Sequence, residues 1–380
     1  MNFGWSNEQI ALRATAHDLG QLLSAGTFQR DASNEFSRDE WHRAGVGGIQ
    51  GVALPEAFGG QGHDVVTAVG IMEAFGKGCR DNGLTLALNG HIWCVQQPIL
   101  EFGSEEQKQR FLPKLCSGEW AGADGLTERD AGSDILSMAT TAVKVDGGYV
   151  LNGRKSYIGL GPVADLALVY AMTDREAGAW GMSVFLLERG MDGFTQEPNR
   201  PKMGLRTNPL GDLVFNDCFI PEENRLGEEG AGLGVFTNTN EWERAFIFAS
   251  HVGRMEAQLE ATIAYATTRR QFDQPIGKFQ AVSHRIAEMR LRLETCRLLI
   301  YKLAWLKQNG LPAGQESAMA KLHISEAFLV SSLDAMRISG ATGYLAEFEI
   351  ERDLRDSLGG VIYGGTSDIQ RNAIARYCGL

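Results

Sequence analysis

The sequence predicts an α+β chain in which an N-terminal helical domain, a middle β domain and a C-terminal helical bundle follow one another. Three successive periods predict it. From Ser6 to about Gly118, polar and apolar residues alternate at spacings of three and four, the period of a helix. From about Glu119 to Leu226 the period falls toward two and turn residues become frequent, the grammar of short strands. After Gly234 the helical period returns. There Phe279, Val282, Ile286, Met289, Leu293, Cys296, Ile300 and Leu303 recur at alternating intervals of three and four, which makes them a bundle seam and not a ligand groove. The expected domains are residues 1–118, 119–229 and 230–380.

Element by element, Gly59 to Gly62 (GGQG) is a turn or loop inside the first helical region. In the β region Thr141–Val145 reads as a strand, Asp146 to Gly148 as a turn and Tyr149 to Leu151 as the partner strand, with Asn152-Gly153 as another turn. Ser183–Leu187 and Leu213–Phe215 add short strands, and Pro221 ends the last of them. Gly230 to Gly234 (GAGLG) reads as a loop before a helix. Val252, Met255 and Leu259 carry the apolar face of the next helix, and Ala318 to Met336 form a further one after the break at Gly310–Gly314.

Composition narrows the function classes. At 380 residues, 44% hydrophobic and 22% charged, the chain is an ordinary globular one of two or three domains. A net charge of −11 argues against a nucleic-acid binder, which needs a basic face. The six cysteines lie far apart without a CxxC pair, so neither zinc nor a disulfide framework is expected, and reduced thiols fit a cytoplasmic protein. Met1 to Ala11 lacks the basic and apolar regions of a signal peptide. No apolar run reaches the roughly 18 residues that cross a bilayer. The seven histidines show no HExxH or other ligand spacing, so no metal is expected. GxSxG, P-loop and GxGxxG motifs are absent as well.

Two stretches are more specific. Gly125 to Asp134 (GLTERDAGSD) opens the β region, and its small residues and hydroxyls would let backbone amides approach a polar or anionic cofactor edge. It reads equally well as a capping loop. Ile362 to Arg371 (IYGGTSDIQR) is a glycine turn leading into a short helix, where Thr366 or Ser367 can cap and leave N-terminal amides for phosphate.

Together these stretches resemble the acyl-CoA dehydrogenase family, and the resemblance runs along essentially the whole chain. In order, the matching pieces are Gly59–Gly62, Leu126–Glu128 with Ala131–Asp134, Leu151–Lys155 (LNGRK), Lys202–Arg206 (KMGLR), Leu226–Gly230 (LGEEG), Arg269–Phe272 (RRQF) and Gly365–Gln370 (GTSDIQ). The resemblance implies an N-terminal helical domain, a middle β-barrel-like domain, a C-terminal four-helix bundle, FAD and a homotetramer. It also implies a reaction in which a carboxylate takes the α proton of a thioester while the β hydrogen leaves as hydride to the flavin. Such a base needs a dry site that raises its pKa, and the thioester oxygen needs preorganised donors.

The usual home of that base directly precedes the Gly-Thr-Ser motif, and here that place is Gly364. A second arrangement, as in isovaleryl- and long-chain-type members, puts the glutamate on an earlier helix just before an arginine. Glu241-Trp242-Glu243-Arg244 fills that place, so the resemblance assigns Glu243 as base and Glu241, Trp242 and Arg244 to the substrate. The Gly364 amide remains a donor for the thioester oxygen. For FAD the resemblance assigns Leu126, Thr127, Gly132 and Ser133 to the flavin edge, and Tyr157 as the aromatic that covers the ring. Arg269, Gln271, Phe272 and Gln280 would reach the FAD of a neighbouring subunit, with Arg269 on its pyrophosphate. Thr366 and Asp368 would lie near the adenine end.

Two places depart from the family pattern. Gly159 stands where a threonine or serine hydroxyl usually approaches flavin N5, and Arg337 where a glutamine contacts FAD across subunits, with Gly340-Ala341 altered beside it. Within the family the chain is most similar to the prolyl-carrier-protein dehydrogenases that make pyrrole units for natural products. Met72–Leu84, Trp242–Arg244, Ala281–Ile286 and Gly365–Asp368 carry that similarity. Carrier protein and CoA share a phosphopantetheine arm, so the implied substrate is a thioester of either, and the electron acceptor is an electron-transfer flavoprotein or oxygen. An acidic enzyme meeting an acidic carrier needs a local basic patch, for which Lys108, Arg110 and Lys114, or Arg200, Lys202 and Arg206, are candidates. Alternatives are a short or branched-chain acyl-CoA dehydrogenase, a flavin oxidase or monooxygenase, and a flavin-binding protein without thioester chemistry.

Overall fold

The computed structural model describes residues 4–380, so the first three residues of the expected N-terminal domain and of the Met1–Ala11 reading lie outside the described residues. The helical region begins with α1 (Asn7–Leu23), α2 (Thr27–Ser33) and α3 (Arg38–Val46), followed by α4 (Val65–Gly78) and α5 (Asn82–Gly90). One π-helical turn (His91–Gln96) leads into α6 (Gln97–Phe102), and α7 (Glu105–Cys116) ends the region. Its helices start where short polar side chains can take up free amides. Ser6 and Ser104 form capping boxes with Gln9 and Gln107, and Asp64 and Asp81 cap α4 and α5.

Eight strands then form one mixed sheet: β1 (Gly122–Gly125), β2 (Thr141–Val145), β3 (Gly148–Gly159), β4 (Leu166–Met172), β5 (Met182–Glu188), β6 (Phe194–Gln196), β7 (Leu210–Pro221) and β8 (Arg225–Leu226). Their order is β6-β7-β3-β2-β4-β5-β8, with β1 parallel beside β4. Asn152-Gly153 is not a turn. It lies inside β3, where the register against β7 shifts between Leu151 and Gly153 and Gly153 has φ 144°. The long β3–β7 pairing continues on both sides, and the extra residue of the bulge lies on β7, where Asp217 (φ 48°) sits opposite Asn152.

The C-terminal region holds α8 (Gly232–Phe246), α9 (Ala249–Thr268), the hairpin β9 (Arg270–Gln271) and β10 (Gln274–Pro275), α10 (Gln280–Gln308) and α11 (Gly314–Ser339). Shorter α12 (Ala341–Tyr344), α13 (Ile350–Gly360) and α14 (Ser367–Tyr377) follow. The expected loop Gly230–Gly234 is shorter than predicted, because α8 already begins at Gly232. Along the seam Met289, Leu293, Cys296, Ile300 and Leu303 are buried, while Phe279, Val282 and Ile286 are partly so.

Two features lock the first helical region onto the bundle. A Cβ at Gly76 would enter the backbone of Ser250, and one at Gly253 the backbone of Glu73, so α4 and α9 touch through glycine. Beside that contact, Arg297 of α10 donates to the buried Glu73 at 2.8 Å. All six cysteines are free. Among the described residues no helix is long and apolar enough to cross a membrane, and no group of His, Cys, Asp and Glu could hold a metal ion.

Candidate active site

Helix α8 places three adjacent residues on different faces, because each step along a helix turns the side chain by about 100°. Glu241 pairs with Lys307 at 2.7 Å. Trp242 stacks parallel on Trp93 at 5.8 Å and donates to Glu101 at 2.8 Å, with the Lys307 ammonium 4.1 Å from its ring centre. Glu241 and Trp242 are therefore engaged by Lys307, Trp93 and Glu101. Glu243 points instead toward the turn that follows α13.

That turn is built by two glycines in the left-handed region, Gly364 (φ 63°) and Gly365 (φ 81°), whose carbonyls both accept from the Gln370 amide, at 2.9 and 3.1 Å. A Cβ at Gly364 would lie 3.3 Å from Glu243 Oε1 and 3.8 Å from Lys321 Cε. The carboxylate carried by α8 thus occupies the space into which a side chain at 364 would project. Two positions 121 residues apart meet at one point.

The electrostatics suit a base. Burial raises the Glu243 carboxyl above its ordinary range, while Arg244 and Lys321 pull it back. The residue nonetheless keeps partial exposure. Burial lowers Lys321 to about 8, against the attraction of Glu243, and its ammonium donates to the Gly360 carbonyl at 2.8 Å. Arg244 has a buried Nε without a hydrogen-bond partner. Thr366 caps α14 by accepting from the Ile369 amide at 3.2 Å, and Asp368 is exposed beside Arg371.

A second constellation surrounds the loop after β1. Lys155, fully buried, donates to Glu128 at 2.8 Å and to the Leu126 carbonyl at 3.1 Å. Glu128 in turn accepts from the amides of Ala139 and Thr140 at 2.6 and 3.0 Å, and the Ser156 amide donates to the Thr127 carbonyl at 2.8 Å. Gly132 and Ser133 are exposed beyond this clamp, with nothing within 4 Å of a Cβ built at Gly132. Tyr157 sits at the next register shift of β3 in the left-handed region (φ 63°), its ring half-exposed.

The chain matches three family domains: acyl-CoA dehydrogenase N-terminal domain over residues 6–119, middle domain over 123–218 and C-terminal domain over 230–378. The chain belongs to the acyl-CoA dehydrogenase family. Among curated relatives, an L-prolyl-[peptidyl-carrier protein] dehydrogenase of Pseudomonas fluorescens is 46% identical, over 94% of this chain and 93% of that protein. The solved prolyl acyl carrier protein oxidase AnaB is 43% identical with a TM-score of 0.98, covering 99% of this chain and all of AnaB. PigA with FAD and proline is 38% identical with a TM-score of 0.97, covering 100% of both chains.

The family's cofactor is FAD, and the residues present fit it. The open loop at Gly132–Ser133 is a polar cradle, and the half-exposed, strained Tyr157 is a surface suited to a flat ring. Across the gap left by Gly159, the Asn208 amide lies 3.5–3.7 Å from a Cβ built there, and its buried Oδ1 has no partner. Asn208 is thus the polar side chain that borders the gap at Gly159. Around the β9–β10 hairpin Arg269, Gln271 and Gln280 are exposed, and Phe272 is 86% exposed at a left-handed φ of 48°. Strain at a bulky exposed residue is a cost that a partner surface would offset. Arg337 is exposed too, 3.9 Å from Asp334, which Arg285 and Arg292 already hold.

Sequence reasoning missed Lys321, Lys155, Asn208, Asp124, Tyr170 and Cys94. Lys155 carried a usable signal, being a lysine on the face of β3 that also carries Tyr149 and Leu151. Of the two basic groups proposed, Lys202 turns inward to the Asn208 carbonyl at 2.6 Å, while Arg200 pairs with Asp212 at 2.8 Å and stays exposed. Burial lowers Lys202 to about 8.

Proposed function

We propose that the protein is an FAD-dependent dehydrogenase that oxidises the Cα–Cβ bond of a prolyl group held as a thioester on a carrier protein. One observation carries the chemistry: the Glu243 carboxylate stands 3.3 Å from where a side chain at Gly364 would begin, so the base is relocated, not lost. The substrate class is carried by the similarity to the prolyl-carrier relatives.

In this reading Glu243 takes the α proton, and the Gly364 amide donates to the thioester oxygen as charge develops there. Arg244 and Lys321 favour the ionised form of the base and offset part of the effect of burial. Leu126, Thr127, Gly132, Ser133, Tyr157 and Gly159 hold the flavin end of FAD, with Asn208 beside them, and Thr366 and Asp368 lie toward its adenine end. Bound FAD supplies the acceptor for the Cβ hydrogen as hydride. Arg269, Gln271, Phe272, Gln280 and Arg337 complete the site of a neighbouring subunit in a homotetramer. The three domains span residues 1–118, 119–229 and 230–380. Lys108, Arg110 and Lys114 are the patch for the carrier, and the six free cysteines suit a cytoplasmic enzyme. The final electron acceptor is an electron-transfer flavoprotein or oxygen.

The test is anaerobic bleaching of the purified yellow protein, which should hold one FAD per subunit. Bleaching by a prolyl-loaded carrier and not by acyl-CoAs is the expected result. Bleaching by branched or short acyl-CoAs alone would favour the acyl-CoA reading, and protein that cannot be reconstituted with FAD would end both. Arg269→Ala should weaken FAD binding by about tenfold or more and lower the yield of intact oligomer. A charge-assisted contact of that kind is worth about 1.5–3 kcal/mol. A monomer with full FAD occupancy would contradict the shared site.

A pH profile checks the base. Glu243 works only when ionised and its pKa is raised, so flavin reduction should fall on acidification through a pKa above the usual glutamate value of about 4.3. Lys321→Met removes an attraction that favours the ionised form and should move this acid limb to higher pH. A limb that does not move would show that Lys321 leaves the base unaffected.

A further inference from the structure

Two polar atoms near Glu243 lack a close hydrogen bond. Asp124 on β1 pairs in register with Leu168 of β4, and Tyr170 lies two residues further along β4, so the three side chains share one face of the sheet. Asp124 Oδ1 is buried without a hydrogen bond, and the fully buried Tyr170 hydroxyl faces Thr239 without a close hydrogen bond. His91 fixes the start of β1 by accepting from the Gly122 amide at 2.9 Å, and its π-helical turn packs against both β1 and α8. Cys94 on that turn is buried and sits within the electrostatic reach of both Glu243 and Asp124.

Asp124 also lacks a cation. Lys155 is the cation that acts on it, but that ammonium is spent on Glu128 and on the Leu126 carbonyl. Burial first, and the Glu243 charge next, hold Asp124 well above the ordinary carboxylate range. A buried acceptor with no donor is costly unless a ligand completes it. A carboxylic acid beside a phenolic hydroxyl complements a basic N–H group that can take up the acid's proton, which describes the secondary amine of a pyrrolidine ring. That nitrogen is bonded to the carbon whose proton Glu243 would take, so anchor and base must be neighbours, as they are.

We propose that Asp124, assisted by the Tyr170 hydroxyl, binds the ring nitrogen of the substrate and makes the site select a cyclic amino acid over a carbocycle or alkyl chain. This inference rests on the prolyl-carrier reading above. An amine that arrives neutral takes the proton of the Asp124 carboxylic acid, leaving carboxylate and ammonium paired. A substrate without that nitrogen leaves Asp124 unpaired, and sites built around a polar substrate group reject analogues lacking it far more strongly than apolar sites reject a missing methylene.

The experiment compares prolyl and cyclopentanecarbonyl thioesters on the same carrier protein, by anaerobic stopped-flow reduction normalised to FAD content. Wild type should favour the prolyl group by about 10²-fold or more. Asp124→Leu should lower the prolyl rate by a similar factor while leaving the carbocycle as fast or faster, so that the preference collapses. Asp124→Asn, which keeps the shape, should fall between and carries the test if the leucine variant does not hold FAD. Equal rates for the two rings in wild type, or equal losses on both in the variants, would overturn the anchor while leaving the prolyl-carrier reading intact. Wild type reduced by neither carrier-bound ring would overturn that reading, and the anchor with it.

Discussion

Glu243→Gln should keep its flavin and lose roughly 10²–10⁴-fold in the rate of anaerobic reduction by substrate, the usual scale for a general base. Glutamine preserves shape and hydrogen-bonding atoms but cannot accept the α proton as a carboxylate does. The geometry adds a sharper test. A glutamate at 364 would start 3.3 Å from Glu243 Oε1, so Glu243→Gly combined with Gly364→Glu clears the space and returns a carboxylate to the same region. Part of the rate should come back. Recovery is limited because Gly364 has φ 63°, where a residue with a Cβ is disfavoured by about 1–2 kcal/mol. An error of about 1 Å in reacting geometry can also cost 10²-fold. Wild-type reduction rates in Glu243→Gln would remove Glu243 from the mechanism.

The pairing of Gly364 with Glu243 was visible in the sequence as a loss at one motif and a gain at another. The structure adds that the two positions coincide in space. Periodicity served the α10 seam well because a long helix buried on one face repeats its pattern many times. It served Asn152-Gly153 poorly, since a dipeptide that favours a turn locally is overruled when the strands on both sides have partners in β7. Lys202 read as part of a basic patch because sequence spacing says nothing about the Asn208 carbonyl. Asp124, Tyr170 and Lys321 were invisible for a related reason. They belong to no motif, and what makes each notable is a neighbour, or a missing one, on a distant element.

Lys155→Met should cost about 3–5 kcal/mol of folding stability, the usual effect of removing one member of a buried ion pair. Burial outweighs attraction for this lysine and lowers its pKa to about 8. For Glu128 burial is also the largest single influence, yet Lys155 and two backbone amides together hold it below the usual carboxylate range. The lysine therefore bears most of the burial cost, and its removal leaves Glu128 charged, buried and supported by only the Ala139 and Thr140 amides. Lys155→Met with Glu128→Gln removes that stranded charge and should recover much of the stability. FAD affinity should not recover with it, because the Lys155 hydrogen bond to the Leu126 carbonyl, 3.1 Å long, is absent from both variants. Denaturation midpoints of the apoprotein and FAD titration by flavin fluorescence separate the two effects. A double variant that regains both stability and full FAD affinity would show that the clamp supports only the fold. One that regains neither would show that the unpaired glutamate was not what destabilised the single variant.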